Sequence, residues 1–304
     1  MSNISQHDAV TTAERGREFW RGVLLAGGFT ALPRWTLEPV PGVGEYEVGI
    51  PDELMAASRR LANDLAVPLS SVLLAAHAKV LGALSGEREV CSGYAVEARP
   101  PLPIRMTLGP RSWHEALRDI ARAESDLLAH SVVSVDDLRR GPGLTEPLFE
   151  TVFELSAGGG EFAKGTILRV TFMQREGLVL RVKYRTEVLD ANCAARIAGY
   201  HLTALLLMTA DPEAEHARSS LLSAEELHFQ LHGLAGPRRM LPDRRAHQLF
   251  EERARAHPDA IAAVHGNGQL TYRTLNARAN QLARALIARG VAFVHRRGIR
   301  GRPS

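Results

Sequence analysis

The sequence predicts an α/β protein: one mixed sheet with flanking helices, then a linker and a smaller α/β fragment. Three observations lead there. Segments of helical and strand period alternate along most of the 304 residues. The stretch Ile167 to Arg185 reads as a hairpin, with Leu178, Leu180, Val182 and Tyr184 on one face and Arg181, Lys183 and Arg185 on the other. Residues 233–245 then shift to Gly, Pro and Arg before regular patterning resumes, which marks a linker.

In chain order, a polar leader (residues 1–15) precedes a short helical run that opens at Glu18-Phe19-Trp20 and ends near Gly27-Gly28. Phe29 to Gly44 is rich in Pro and Gly and reads as loop, and Tyr46 to Ile50 as a strand. Pro51 suits a helix start; Leu54, Ala57, Leu61 and Leu65 follow in one apolar stripe. The segment Ser71 to Leu84 is apolar nearly all round and therefore buried on most sides, and Glu89 to Val96 is a strand. Ser112 and Glu115 have capping-box spacing ahead of an amphipathic helix through Trp113, Leu117, Ile120, Ala121, Leu127 and Leu128. Phe149 to Leu155 is a strand, and Asp190 caps a helix that runs to about Ala210. Beyond the linker come a helix (Ala246 to Ala256), a strand (Ala260 to His265), an Asn267-Gly268 turn, and a helix capped by Thr271 with Leu275, Ala279, Leu282, Ala283 and Leu286 at core spacing.

Composition is that of a globular chain: 45 % hydrophobic and 23 % charged, which argues against disorder throughout. No signal-peptide pattern is visible, and the densest apolar run, Leu202 to Met208, is far shorter than the roughly 20 residues of a bilayer span. Cys91 and Cys193 show neither CxxC nor metal-ligand spacing and read as buried thiols in a reducing, cytoplasmic setting. Net charge is +3, with several arginines in the last residues, so the basic balance says little about what the folded body binds.

Three segments carry a resemblance. Val67 to Ala78, continuing to Gly93 and Arg99, is similar to the helix–strand unit before a "G-x-P-x-x-G-R" turn; Glu146 to Phe153 resembles an "S-P-L-F-Q-V-M-F" strand; Leu180 to Asp190, Asp211-Pro212 and Leu221 to Glu226 resemble a hairpin, a final helix and an "L-L-S-x-x-E" exit. Together, in this order, they resemble the C-terminal lobe of a condensation domain of nonribosomal peptide synthetases, over residues 16–232. The fold this implies is chloramphenicol-acetyltransferase-like. Past the linker, His247 to Phe250, Pro258 to Ala260 and Leu270 to Asn276 resemble the opening of an adenylation (AMP-binding) domain, over residues 246–290. That family has Glu where Thr274 stands, so the capping box with Thr271 is incomplete and the helix start is weaker by a fraction of a kcal/mol.

The resemblance implies chemistry that this sequence does not carry. Condensation uses a His of "H-H-x-x-x-D-G" to assist attack of an amine on a thioester; here no two of the twelve histidines are adjacent. The "F-V-N-T-L-P-L-R" ending survives only as Leu102-Pro103-Ile104-Arg105, as if about ten residues were deleted, which puts the neighbouring strand in question. Adenylation in the family uses ATP and Mg²⁺, with carrier-bound phosphopantetheine as acceptor, through residues beyond those matched. The expectation is a fragment of a condensation/adenylation module in secondary-metabolite peptide synthesis, not catalytic alone, with no catalytic, cofactor-binding or metal-binding residue. Its expected partners are a peptidyl or aminoacyl carrier protein or a separately encoded synthetase lobe, and no membrane.

Single residues take the plainer of two readings. His77, on an apolar helix, is a satisfied core histidine; His114 is solvated or locally bonded; His247 closes a helix start. Ser92 lacks a nucleophile-elbow pattern, and Gly158 to Thr166 lacks the Gly before Lys164 that a P-loop needs. Arg181, Lys183 and Arg185 form a solvated strand face rather than a dock for an acidic carrier. Arg300-Gly301-Arg302-Pro303 matches an AT-hook core, but a frameshifted or truncated end explains these arginines better than DNA binding, and residues 291–304 are expected to be a basic, disordered tail. The adenylation fragment is expected to be loosely docked. A noncatalytic carrier-docking module is the alternative reading.

Overall fold

The computed structural model describes residues 14, 16–26, 29–95, 100–131, 149–155, 162–163, 165–234, 236, 244–266 and 268–290. Gly27-Gly28, Val96, Arg99, Glu146 to Leu148, the Gly158–Gly160 stretch, Lys164, Asn267 and the whole tail from residue 291 lie outside these. The chain divides into two compact units, Met1–Leu231 and His232–Ser304.

The first unit is a six-stranded mixed sheet with helices on one face. Its elements are α1 (residues 16–25), β1 (Val43–Gly49), α2 (Asp52–Asp64), α3 (Leu69–Ser85), β2 (Glu89–Ala95), β3 (Leu102–Thr107), α4 (Trp113–Ala129), β4 (Thr151–Leu155), β5 (Leu168–Gln174), β6 (Leu178–Arg185), α5 (Ala191–Ala210) and a short α6 (Ala224–His228). Strand order is β1-β6-β5-β4-β2-β3; β2–β4 and β4–β5 are parallel and the other pairs antiparallel. The β5–β6 hairpin closes with Gln174 opposite Leu178, the register the alternating pattern requires.

α3 lies at the centre. Val72, Leu74, Ala76, Ala78, Val80 and Leu81 are fully buried, and each large apolar side chain so placed stabilises by about 1.5–3 kcal/mol over exposure. It packs against α2, α4 and α5, over the sheet face that presents Val90, Tyr94, Phe153, Phe172, Leu180 and Val182. α5 is the one described helix long and apolar enough by composition to cross a bilayer; half of that window is buried, with Ile197, Ala204, Leu205 and Met208 in this core.

Caps form as the spacing predicts. Ser112 Oγ accepts from Glu115 N at 3.2 Å while Glu115 Oε2 accepts from Ser112 N at 3.1 Å, and Asp190 Oδ1 accepts from Cys193 N at 2.7 Å. α2 ends in a Schellman turn, with Val67 N bonded to Ala62 O and Ala66 N to Asn63 O; Ala66 takes the left-handed position, φ 52°, where glycine is usual.

Two elements depart from the sequence reading. β1 begins at Val43, inside the stretch read as loop, because Gly44 lies directly opposite Tyr184, whose ring fills the space a side chain there would need. Residues 102–107, whose status the shortened motif left in question, do form a strand: β3 pairs with β2 at the sheet edge, where Pro103 is tolerated.

The second unit is α7 (Ala246–Ala256), the hairpin β7 (Ile261–His265) and β8 (Gly268–Thr271), and α8 (Tyr272–Ala288). Thr271 Oγ1 accepts from Thr274 N at 3.3 Å, and the two hydroxyls meet at 3.1 Å, so half of the capping box survives without Glu. The expected core stripe on α8 is not buried: Leu282 is 62 % exposed, and Ala279, Ala283 and Leu286 are exposed too, because a two-stranded hairpin offers too little surface to cover that helix face.

Candidate functional site

The densest polar chemistry of the first unit lies in its interior. His77 on α3 places Nε2 3.1 Å from Ser92 Oγ on β2 and Nδ1 3.3 Å from His201 Nε2 on α5; His201 Nδ1 is 2.7 Å from the carbonyl of Ile197. Thr151 Oγ1 on β4 donates to Ser92 Oγ at 3.0 Å. A carbonyl only accepts, so His201 Nδ1 carries a proton and its Nε2 accepts from His77 Nδ1–H. His77 Nε2 is then unprotonated and accepts a hydrogen bond from the Ser92 hydroxyl. One proton arrangement satisfies the row with both rings neutral.

In connectivity this is a hydroxyl, an imidazole and an orienting partner, the order used for nucleophile activation. Burial decides otherwise. Ser92, His77, His201 and Thr151 are all 0 % exposed, under Phe153 and Phe172, so no substrate reaches the hydroxyl. Burial also drives both imidazoles toward neutrality: His77 is held well below its ordinary range, by desolvation first and His201 second, and His201 is lowered to about 4 by desolvation. The row joins a helix, two strands and a second helix through satisfied bonds, which is the role expected of His77.

A second cluster surrounds Glu124 on α4, which is 2 % exposed. Its carboxylate accepts from Tyr94 OH at 2.6 Å and from Ser71 Oγ, and the tyrosine is pushed upward by burial and then by this carboxylate. It forms part of the wall of a cavity of about 530 Å³ with Ala66, Val67, Pro68, Arg118, Arg122 and Leu128. Glu150 is likewise buried: it accepts from Leu32 N at 2.5 Å and from both Arg34 amino nitrogens at 2.9 Å, tying segment 29–36 to the start of β4.

The remaining candidates sit as follows. His114 Nδ1 pairs with Glu213 at 2.7 Å, a partner 99 residues on in sequence rather than a local one; His247 is exposed in the first turn of α7. Arg181 and Lys183 are not simply solvated: Arg181 meets Glu47 at 2.5 Å and Glu45 at 3.0 Å, and Lys183 meets Glu45 at 3.7 Å, because β1 puts both glutamates opposite them. Arg185 turns to the carbonyls of Thr166 and Ala163 and to the Phe162 ring. Cys91 and Cys193 are free and buried, and burial pushes Cys91 up to about 11. Among the described residues no group of three His, Cys, Asp or Glu is placed to hold a metal ion. The sequence reading missed His201, whose signal was a second His on a largely apolar helix.

The sheet order and the central α3 define the class: a condensation-type α/β lobe. Solved structures share the fold. The first condensation domain of the calcium-dependent antibiotic synthetase, in complex with a substrate analogue, matches 72 % of this chain and 56 % of that one at TM-score 0.56 and 21 % identity. A four-domain nonribosomal peptide synthetase bound to AMP and glycine matches 91 % of this chain and 25 % of that one at TM-score 0.64 and 14 % identity. The X-domain from teicoplanin biosynthesis, in complex with OxyB, matches 70 % and 56 % at TM-score 0.62 and 16 % identity. The family model for AMP-binding enzymes matches residues 250–300. In sequence, tyrocidine synthase 3 of Brevibacillus parabrevis is 29 % identical over 91 % of the chain, and malpinin synthetase of Mortierella alpina is 30 % identical over 90 %. The chain spans 5 % and 4 % of those relatives' own lengths. It is homologous to the condensation and adenylation regions of nonribosomal peptide synthetases.

Proposed function

We propose that residues 16–232 serve as one wall of an amide-forming condensation site in a peptide assembly line, and that the base for that site comes from a separate lobe bearing H-H-x-x-x-D-G. The observation that carries this is the run of homology across 91 % of the chain, through a condensation-type lobe into an AMP-binding start. In such a site an amine attacks a thioester carbonyl, the amine loses a proton to a base, and the thiol leaves. The row of Ser92, His77 and His201 cannot supply that base, since every member is 0 % exposed. What this lobe contributes is a rigid sheet and the loops at its end.

The test is reconstitution. The purified chain is mixed with an H-H-x-x-x-D-G lobe from a related synthetase and with carrier-bound acyl donor and aminoacyl acceptor, and amide product is measured by mass spectrometry. Product is expected from the mixture and not from either protein alone. Amide formation by this chain alone refutes the proposal, and so does silence from a mixture in which the two lobes demonstrably associate.

A noncatalytic docking role is the second reading, favoured by the match to an X-domain that was solved in complex with a protein partner. A carrier protein is the partner this reading names, and binding by a phosphopantetheinylated carrier, but not by the unmodified one, supports it. ATP, Mg²⁺ and phosphopantetheine belong in this proposal to the neighbouring catalytic segments, and no described residue is assigned to them. Two unpaired, buried thiols fit a cytoplasmic setting.

A further inference from the structure

Outside the clusters described above, the first unit holds a cavity of about 360 Å³ lined in part by Trp35, Lys79, Tyr200, Ser219, Ser220 and Leu222. This lies within the size range of about 300–1,000 Å³ typical of small-molecule sites. Lys79 is its one cation, and its position is unusual. Its ammonium donates to the carbonyl of His216 at 2.7 Å and lies 6.0 Å from the centre of the Trp113 ring. No carboxylate among the described residues pairs with it. An ammonium has three protons to donate, and one is used.

The Ser220 hydroxyl is set to donate as well. Ser220 Oγ accepts from Leu222 N at 3.2 Å, which leaves its own proton for another acceptor. Glu226, bonded to the lining residue Tyr200, is already engaged: it accepts from Tyr200 OH at 2.5 Å and pairs with Arg196 at 3.4 Å. His216, 2 % exposed, lies beside Lys79, and burial lowers its imidazole, so it brings no charge to pair with the ammonium. Apart from the Gln230 amide and Tyr200, the rest of the lining is apolar, from Trp35, Ala83, Leu84, Leu221 and Leu222.

We propose that this cavity binds a small organic carboxylate with an apolar body, its oxygens on Lys79 and the Ser219 and Ser220 hydroxyls and its body against Trp35 and Leu222. Burial lowers Lys79, and the attraction of a bound carboxylate offsets that cost.

The probe is sodium phenylacetate, titrated calorimetrically into the full chain, with inorganic phosphate as the comparison anion. Saturable one-site binding is expected, weakened at least about tenfold in Lys79→Met and largely retained in Lys79→Arg. Absence of saturable heat up to about 10 mM overturns the proposal, as does equal affinity in Lys79→Met. Phosphate binding as tightly as phenylacetate overturns the apolar half of the assignment. A measurement on the unmutated protein guards against a misfolded variant. The chain has only three lysines, Lys79, Lys164 and Lys183, so acetylation by acetic anhydride can be followed at each by mass spectrometry. Phenylacetate should slow acetylation of Lys79 severalfold and leave Lys183 unchanged; an unaltered rate at Lys79 overturns the site.

Discussion

Acidification should unfold the first unit through its interior histidines. His201 titrates at about 4 in the folded chain, against an ordinary value near 6.5. A lowered folded value means that the unfolded chain binds the proton first. Stability is therefore whole above pH 6.5 and is lost as pH falls toward 4. For that pair of values, a drop from pH 7.5 to pH 5 costs about 2 kcal/mol from His201 alone. His77, also held low by burial, adds to the loss in the same direction. The geometry says why neither ring can accept the proton: His201 Nε2 and His77 Nε2 are both already acceptors, of His77 Nδ1–H and of the Ser92 hydroxyl. All three tryptophans, Trp20, Trp35 and Trp113, lie in the first unit, so urea titrations followed by tryptophan fluorescence report that unit alone. The midpoint should fall steadily between pH 7.5 and 5. In His201→Gln, whose amide oxygen can accept from His77 Nδ1–H, the fall should shrink by most of that 2 kcal/mol, although the variant starts less stable. A midpoint independent of pH in the wild type, or an equal slope in His201→Gln, would refute the assignment of neutral, hydrogen-bonded imidazoles.

Glu150→Ala removes the acceptor for Leu32 N and both Arg34 nitrogens; with Arg34 half exposed, the loss should be about 2 kcal/mol by urea unfolding, with proteolysis appearing first in segment 29–36. Ala66→Gly relieves a left-handed residue in the Schellman turn and should raise stability by about 0.5 kcal/mol net of the greater freedom of the unfolded chain, so a clear loss would count against the strain. Ser112→Ala removes one half of the capping box of α4 and should cost about 1 kcal/mol, recovered in large part by Ser112→Asp. Amide exchange along α8 should be fast beside that of α3, since α8 has no buried side chain whereas α3 has ten.

The sequence made the local geometry of the first unit readable where one periodicity dominates. The alternation in β6 put Leu180, Val182 and Tyr184 on the core, and the all-apolar α3 announced its own burial. What it could not show is pairing between distant strands. Nothing in Thr151–Leu155 says that it lies between β2 and β5 and parallel to both, and nothing in Val43–Gly49 names β6 as its neighbour. The same limit governs the interior row. His77 could be read as a satisfied core residue, but its partners Ser92 and His201 are 15 and 124 residues away and come together only through the sheet order. Arg181 and Lys183 were misread as open to solvent for this reason too: the two glutamates that hold them belong to a strand more than 130 residues earlier.

The two units show how burial decides between chemistry and support. In the first, the row of Ser92, His77 and His201, whose connectivity is that of acid–base catalysis, is sealed beneath aromatic rings, so its hydrogen bonds fix the packing of α3 and α5 on the sheet instead of meeting a substrate. The second has the opposite imbalance. Among its described residues Ala254 is the only buried hydrophobic one, while Ile261, Val264, Leu282 and Ile287 are each more than half exposed. An apolar surface of that kind on so short a unit contributes almost nothing to stability while it faces water. The helix and hairpin there are specified by caps and turns, by Thr271 and by the paired Arg273 and Asp259, rather than by a core. Its sequence thus encodes the shape of an AMP-binding opening more firmly than it encodes the energy to hold that shape, and any binding that covers Leu282 and Ile287 adds directly to the stability of the unit.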